Sequence, residues 1–344
     1  MDMRTPNPSL YNLAYRIADF HEMPYRKLGA TGLKVSNIGL GTWKMGYPET
    51  GDGARTDEKA SLALLDAAWE QGVTFWDTAN RYNNASGNSE RIIGTWFANH
   101  PEKRRDIVLC TKLCGSIDGM TPNHSGLSRA NVLESLYASL DRMGIDYVDV
   151  LYFHAFDFDT DPEESLMAVE DLIRQDLVRY FAVSNFTAAQ LRMYEDAMKS
   201  VSPRCKIVAV QNRYNIINGE FVDEKVLPYC VEKKISYTPH SPLAQGLISD
   251  RYLKPYGKGD RLVDDGLTER LTEDVLAKLR GLKEIADSLS LSVTQLAIAY
   301  MLSMEGMGPI IAACSNLAQL QENAAAGKVV LTPETIAAVK AIVG

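Results

Sequence analysis

From Val35 onward the chain repeats two patterns of hydrophobic and polar positions. Short apolar runs, rich in β-branched residues, are each followed by a longer segment with apolar positions at helical spacing. The runs predict strands over residues 36–41, 74–78, 107–112, 148–154, 180–184, 207–211, 236–239 and 309–313. The segments between them predict helices over 57–70, 89–98, 128–143, 162–174, 187–198, 223–233 and 317–326, with more than one helix inside 272–304. Strands joined by helical crossovers pair in parallel. Eight strand–helix units predict closure into a (β/α)8 barrel. Ser128 is placed to cap one helix, and Thr332-Pro333-Glu334 to open the last one with Pro at its first position. Residues 25–34, with Gly29 and Gly32, read as a short β-hairpin before the barrel. The competing fold is a doubly wound sheet. It is disfavoured because Gly39-Leu40-Gly41-Thr42-Trp43 lacks the third glycine of a dinucleotide loop.

The domain reading is an N-terminal extension over residues 1–22, followed by one barrel domain over 23–344. Residues 1–22 differ in character from the rest, and Met23 is a second plausible start. The extension has no apolar core of a signal peptide. The stretch 253–265 reads as a long functional loop rather than a linker.

Composition narrows the function classes. The 344 residues carry a net charge of −8 without a basic run, which argues against nucleic-acid and membrane-surface partners. No apolar stretch reaches membrane-spanning length; the most apolar one, around residues 296–304, includes Tyr300 and Ser303. Five cysteines, without a CxxC or Cys/His spacing, fit a reduced, cytoplasmic protein and no metal site.

Barrel chemistry sits at the C-terminal ends of the strands. The second strand ends near Asp77, with Tyr82 in the loop behind it; the third ends at Lys112 and the fourth at His154. Each has a structural alternative: a helix cap for Asp77, a solvated ammonium for Lys112, packing for Tyr82 and His154. Together at consecutive strand ends they suit acid catalysis. Tyrosine is a weak acid near pH 7, and an adjacent ammonium is expected to lower its pKa. Asp77 would hold Lys112 in place, and His154 would orient a carbonyl oxygen or relay a proton.

These segments resemble the aldo-keto reductases over nearly the whole stretch from Tyr25 to Asn323. The resemblance rests on Phe75-Trp76-Asp77-Thr78-Ala79 with Tyr82, and on Gly126-Leu127-Ser128-Arg129. It also rests on Ser139-Leu140-Asp141-Arg142-Met143-Gly144, Asp146-Tyr147-Val148-Asp149, Val183-Ser184-Asn185-Phe186 and Val210-Gln211-Asn212. It implies a nicotinamide-dependent oxidoreductase that reduces an aldehyde or ketone, or runs the reverse. Asp77, Tyr82, Lys112 and His154 would be its catalytic tetrad, with Tyr82 the proton donor. Ser184, Asn185 and Gln211 would hold the nicotinamide carboxamide, and Thr42 and Trp43 would line the cofactor and substrate mouth. Ser241, Pro242, Leu243 and Gln245 would belong to the loop over the pyrophosphate. Ser315, Gln319, Glu322 and Asn323 match the adenosine-phosphate site of the branch related to potassium-channel β subunits, with Arg251 and Arg261 against phosphate. The substrate pocket would draw on Trp43, Met45, Tyr47, the loop 114–126 and the 250s loop.

The chain departs from the family pattern at three places. His240 stands where an aromatic ring commonly stacks on the nicotinamide, adding a titratable group. Ala312-Ala313 replaces a frequent Pro-Gly. No Lys or Arg lies between Ile310 and Asn323, so preference for NADP(H) over NAD(H) rests on Arg251 or Arg261. Two rival readings are a Schiff-base lyase using Lys112 and a cofactor-binding regulatory protein or redox sensor. The physiological substrate and the oligomeric state are not determined by the sequence.

Overall fold

The computed structural model describes residues 17–117 and 119–344. Most of the N-terminal extension, and Asp118 in the loop 114–126, lie outside the described residues. Eight parallel strands follow in chain order: β1 (Ile38–Gly41), β2 (Phe75–Asp77), β3 (Val108–Leu113), β4 (Val148–Phe153), β5 (Val178–Ser184), β6 (Ile207–Gln211), β7 (Ser236–Tyr237) and β8 (Ile310–Ala313). Neighbours in sequence are neighbours in the sheet from β1 to β7, and β8 pairs with β1. The seam between β7 and β8 closes through bridges Tyr237–Met307 and His240–Ile311, with the Ile311 amide donating to the Pro239 carbonyl at 3.1 Å. The expected barrel is therefore present.

The predicted first strand splits in two. Lys34–Ser36 pairs antiparallel with Met23–Lys27 as the expected hairpin, and only Ile38–Gly41 enters the barrel. Asp19–Phe20 adds a third strand, so part of the assigned extension is paired structure. The hairpin plugs the N-terminal end of the barrel with buried Leu28 and Val35. Its turn needs Gly29: φ is +58°, and a Cβ there would meet the Val208 carbonyl oxygen at 2.5 Å.

Helix starts follow local chemistry. The Ser128 side chain caps Arg129–Met143, Thr332 caps Pro333–Val343, and Thr187 forms a capping box with Gln190 at the start of Ala188–Val201. The stretch 272–304 resolves into Glu273–Ser288 and Val293–Ser303, crossing at 88°. Among the described residues no single helix is long and apolar enough to cross a membrane.

Strand residues alternate between two cores. Phe75, Cys110, Val150, Tyr152, Ala182, Ala209 and Ile311 fill the barrel interior. Trp76, Leu109, Leu151, Phe153, Phe181 and Val183 face the surrounding helices. This parity matters for chemistry: Asp77 is two residues beyond Phe75, Lys112 two beyond Cys110, and His154 two beyond Tyr152, so all three share the interior face at its open end.

Candidate active site

Strand register brings the expected residues together. Asp77 lies beside Cys110, one inward position below Lys112. Lys112 is fully buried, and its Nζ donates to Asp77 Oδ2 at 2.6 Å, to Tyr82 Oη at 2.8 Å and to the Thr78 carbonyl at 2.8 Å. Tyr82 Oη also lies 3.2 Å from Asp77 Oδ2, as the donor. Three acceptors around one buried nitrogen suit an ammonium ion and no neutral amine.

Tyr82 reaches this position from a short turn, Tyr82–Ala85, in which Asn83, Asn84 and Ala85 all have positive φ. Asn tolerates that region better than most residues. The turn is anchored by Asn83 Nδ2, which donates to the Met45 carbonyl at 2.7 Å. The Tyr82 ring meets the half-buried His154 ring edge-on at 5.9 Å and Trp43 at 6.5 Å.

Electrostatics correct three expectations. The Tyr82 hydroxyl is held well above the ordinary phenol range, first by burial and then by the Asp77 carboxylate, rather than lowered by Lys112. Asp77 neutralises the lysine, so the phenol keeps its proton and stands as a donor. Burial, Lys112, His240 and Arg81 push the His154 imidazole down to about 3. It is neutral near pH 7, able to orient an oxygen but unable to supply a proton as an imidazolium. His240 is likewise lowered to about 4, mainly by burial and Lys112, so it adds no titration in the physiological range.

Beside this set, the ends of β5 and β6 present neutral amides and a hydroxyl. Ser184 Oγ donates to the Gln211 carbonyl at 2.7 Å. Asn185 Nδ2 donates to the His154 carbonyl at 2.8 Å and to Ser184 Oγ at 3.1 Å. Asn185 holds φ at +60°, and its Oδ1 lies 3.5 Å from His240 Nε2. Gln211 is buried, and its Nε2 donates to Asp77 Oδ1 at 2.8 Å. The residue reading of Gln211 missed this bond, because nothing in a local run shows which strand ends face each other across a barrel. It also missed the Thr78 carbonyl, which carries no side-chain signal.

Thr42 is buried, with its hydroxyl on the Asp77 carbonyl at 3.1 Å, whereas Trp43 is 42% exposed. The loop after β7 is strained, with positive φ at Ser241, Ala244 and Gln245. Pro242 and Leu243 lie within it, and Gln245 Oε1 accepts from Arg270 Nη1 at 2.8 Å. A Cβ on Gly246 would meet Arg261 Cδ at 3.9 Å. Arg261 pairs with Asp265 at 3.4 Å, and Asp265 also takes Arg55 at 2.5 Å. Lys44 is close enough to Arg55 and Arg261 to feel both charges. No local run of residues marks Lys44, Arg55 and Asp265 as neighbours of this loop. Arg251 points elsewhere: it is bidentate to Asp260 at 2.5 and 2.6 Å and donates to the Pro255 carbonyl.

At the barrel rim, Gln319 Oε1 accepts from the Ser315 amide at 2.8 Å and its hydroxyl at 3.1 Å. Glu322 Oε1 accepts from Ser292 Oγ at 2.5 Å, and Asn323 is buried. Two suggested pocket residues fall away from the mouth. Met45 is buried in the outer core, and the Tyr47 hydroxyl turns to Glu58 at 3.2 Å.

Comparison with known proteins shows a family. The Aldo/keto reductase family model matches residues 37–343. The chain is 34% identical over 331 residues to a "Probable voltage-gated potassium channel subunit beta" of Oryza sativa subsp. japonica, covering 93% of this chain and 97% of that one. A protein of the same description in Arabidopsis thaliana is 35% identical, with 90% and 94% covered. The versiconal hemiacetal acetate reductase of Aspergillus parasiticus is 32% identical, with 91% and 95% covered. A buried lysine–aspartate pair under a proton-bearing tyrosine, on a barrel matched over almost its full length, makes this chain a member of the aldo/keto reductase family.

Proposed function

We propose that the protein is a nicotinamide-dependent carbonyl reductase in which Tyr82 protonates the oxygen of an aldehyde or ketone. The observation that carries this reading is the Lys112–Asp77–Tyr82 cluster at the interior mouth of the barrel. Bound at the mouth, a reduced nicotinamide would supply the hydride that the carbonyl carbon accepts. Tyr82 then gives its proton to the oxygen, and the phenolate left behind meets the Lys112 ammonium. Neutral His154 orients the carbonyl oxygen beside Tyr82. The same residues serve alcohol oxidation in reverse.

The donor set fits the cofactor. Ser184, Asn185 and Gln211 are uncharged and suit a carboxamide, while Arg261 with Lys44 and Arg55 suits phosphate. Thr42, Trp43, His240 and the loop 241–245 would flank the nicotinamide and pyrophosphate, with Ser315, Gln319, Glu322 and Asn323 toward the adenosine. Three cations near a single Asp265 favour NADP(H) over NAD(H), with Arg261 rather than Arg251 as the phosphate ligand. The five free cysteines fit a cytoplasmic setting. The Schiff-base alternative has little support, because an ammonium fixed by three acceptors is a poor nucleophile.

The test is a fluorescence titration with NADPH and with NADH, followed by turnover of Tyr82→Phe. Tyr82→Phe is expected to lose roughly 100-fold or more in rate while cofactor affinity stays within a few-fold. A variant turning over near the wild-type rate would sink the assignment. Tight cofactor binding without turnover on any carbonyl would favour the regulatory role that the names of the plant relatives suggest.

A further inference from the structure

We infer that Gln211 is a positioning residue that couples occupancy of the nicotinamide seat to the Asp77–Lys112–Tyr82 cluster. The inference rests on the nicotinamide reading above. Gln211 Nε2 donates to Asp77 Oδ1 at 2.8 Å, and Lys112 Nζ holds the other carboxylate oxygen at 2.6 Å. The carboxylate is thus gripped at both oxygens, one grip from β6 and one from β3. A carboxylate accepts and never donates, so the Gln211 amide nitrogen must face it and Oε1 must face away. Ser184 does not compete for that oxygen, since its hydroxyl proton is used on the Gln211 backbone carbonyl. Tyr152 lies deeper in the barrel with Thr238 and Gln211 as polar neighbours, yet its hydroxyl closes no hydrogen bond of standard geometry. Gln211 Oε1, turned away from Asp77, is the acceptor this inference assigns to the N–H of a carboxamide seated beside Ser184 and Asn185.

One amide then has two charged or polar clients. A hydrogen bond accepted at Oε1 polarises the amide and strengthens the bond donated from Nε2. Asp77 is held more firmly when the seat is filled, and its charge on Tyr82 is better shared. By linkage, the Asp77 carboxylate must in turn improve binding of the carboxamide through Gln211. The other charged or titratable groups around Asp77 are Lys112, Tyr82, Cys110 and Tyr152, with His240 and His154 across the mouth.

A double-mutant cycle on NADPH affinity, read by fluorescence without turnover, tests this. NADPH is the right probe because its nicotinamide ring is uncharged. Asp77→Asn is expected to alter affinity differently in the wild type and in Gln211→Met, the carboxamide contribution differing by about three- to tenfold. The 3-acetylpyridine analogue of NADPH, which has no N–H to donate, supplies a second route that needs one variant only. Asp77→Asn should weaken NADPH relative to that analogue by the same factor. An equal effect of Asp77→Asn with and without Gln211, or on NADPH and the analogue alike, would overturn the coupling while leaving the reductase reading intact. Failure of the wild-type chain to bind NADPH or NADH would instead overturn the nicotinamide reading itself.

Discussion

At the scale of single residues, the site works by withholding charge. Lys112 and Asp77 are both buried, at 0% and 2% side-chain exposure, and neither is tolerable there without the other. Lys112→Met removes the ammonium and strands the carboxylate. The expected cost is about 3–5 kcal/mol in denaturant unfolding, together with loss of turnover. A fully stable Lys112→Met protein would show that Gln211 alone can hold Asp77. The histidines add a kinetic expectation. With His154 at about 3 and His240 at about 4, a pH–rate profile should show no imidazole limb between pH ~5 and ~8. A limb near pH ~6.5 that disappears in His154→Gln would contradict a neutral His154. Trp43 is the tryptophan beside Tyr82, whereas Trp76 and Trp96 meet edge-to-face on the outer side of β2 at 4.6 Å. Trp43→Phe should therefore remove most of the cofactor-induced quench.

At the scale of elements, caps and register place the chemistry. The helix Ala188–Val201 starts two residues after Phe186, and its capping box fixes the turn that carries Asn185. Thr187→Ala is expected to cost about 1 kcal/mol, measurable as a lower denaturant midpoint, and to weaken cofactor binding through the displaced Asn185. Behind β3, Thr111 donates to Glu90 at 2.6 Å, and Glu90 pairs with Arg142 at 2.7 Å in a buried site. This contact ties the helices Asn88–Asn99 and Arg129–Met143 to the strand that carries Lys112. The stretch Ser139–Gly144, part of the sequence resemblance, thus has a structural task outside the catalytic mouth.

At the scale of the whole molecule, the barrel closes a polar mouth over an apolar interior, and this sets an acid sensitivity. Below pH ~6.5 the unfolded chain protonates His154 and His240, while the folded protein takes those protons only near pH ~3–4. The unfolded state binds more protons through this window, so stability falls as pH falls from ~6.5 toward ~4. His240→Phe should flatten that slope, as measured by denaturant unfolding at neutral and acid pH. An unchanged slope would mean that His240 is protonated in the folded state.

The order of elements, most helix starts and the four polar residues now found at the mouth were legible in the chain before any fold. Strands, helices and caps are local, and their periodicity and cap chemistry are written in adjacent residues. The chain also places Asp77, Lys112 and His154 at strand ends, because a charged or polar group ending an apolar run is visible without a fold. What those groups do to one another follows from the closed fold alone. Interior and exterior positions of these strands are apolar alike, so the parity that aims Lys112 inward and Thr111 outward is not legible from polarity. The raised Tyr82 hydroxyl, the neutral histidines and the Gln211–Asp77 bond all depend on burial and on partners far apart in the chain. Desolvation and pairing are properties of the closed barrel, and they exist only once β8 has met β1 and β7.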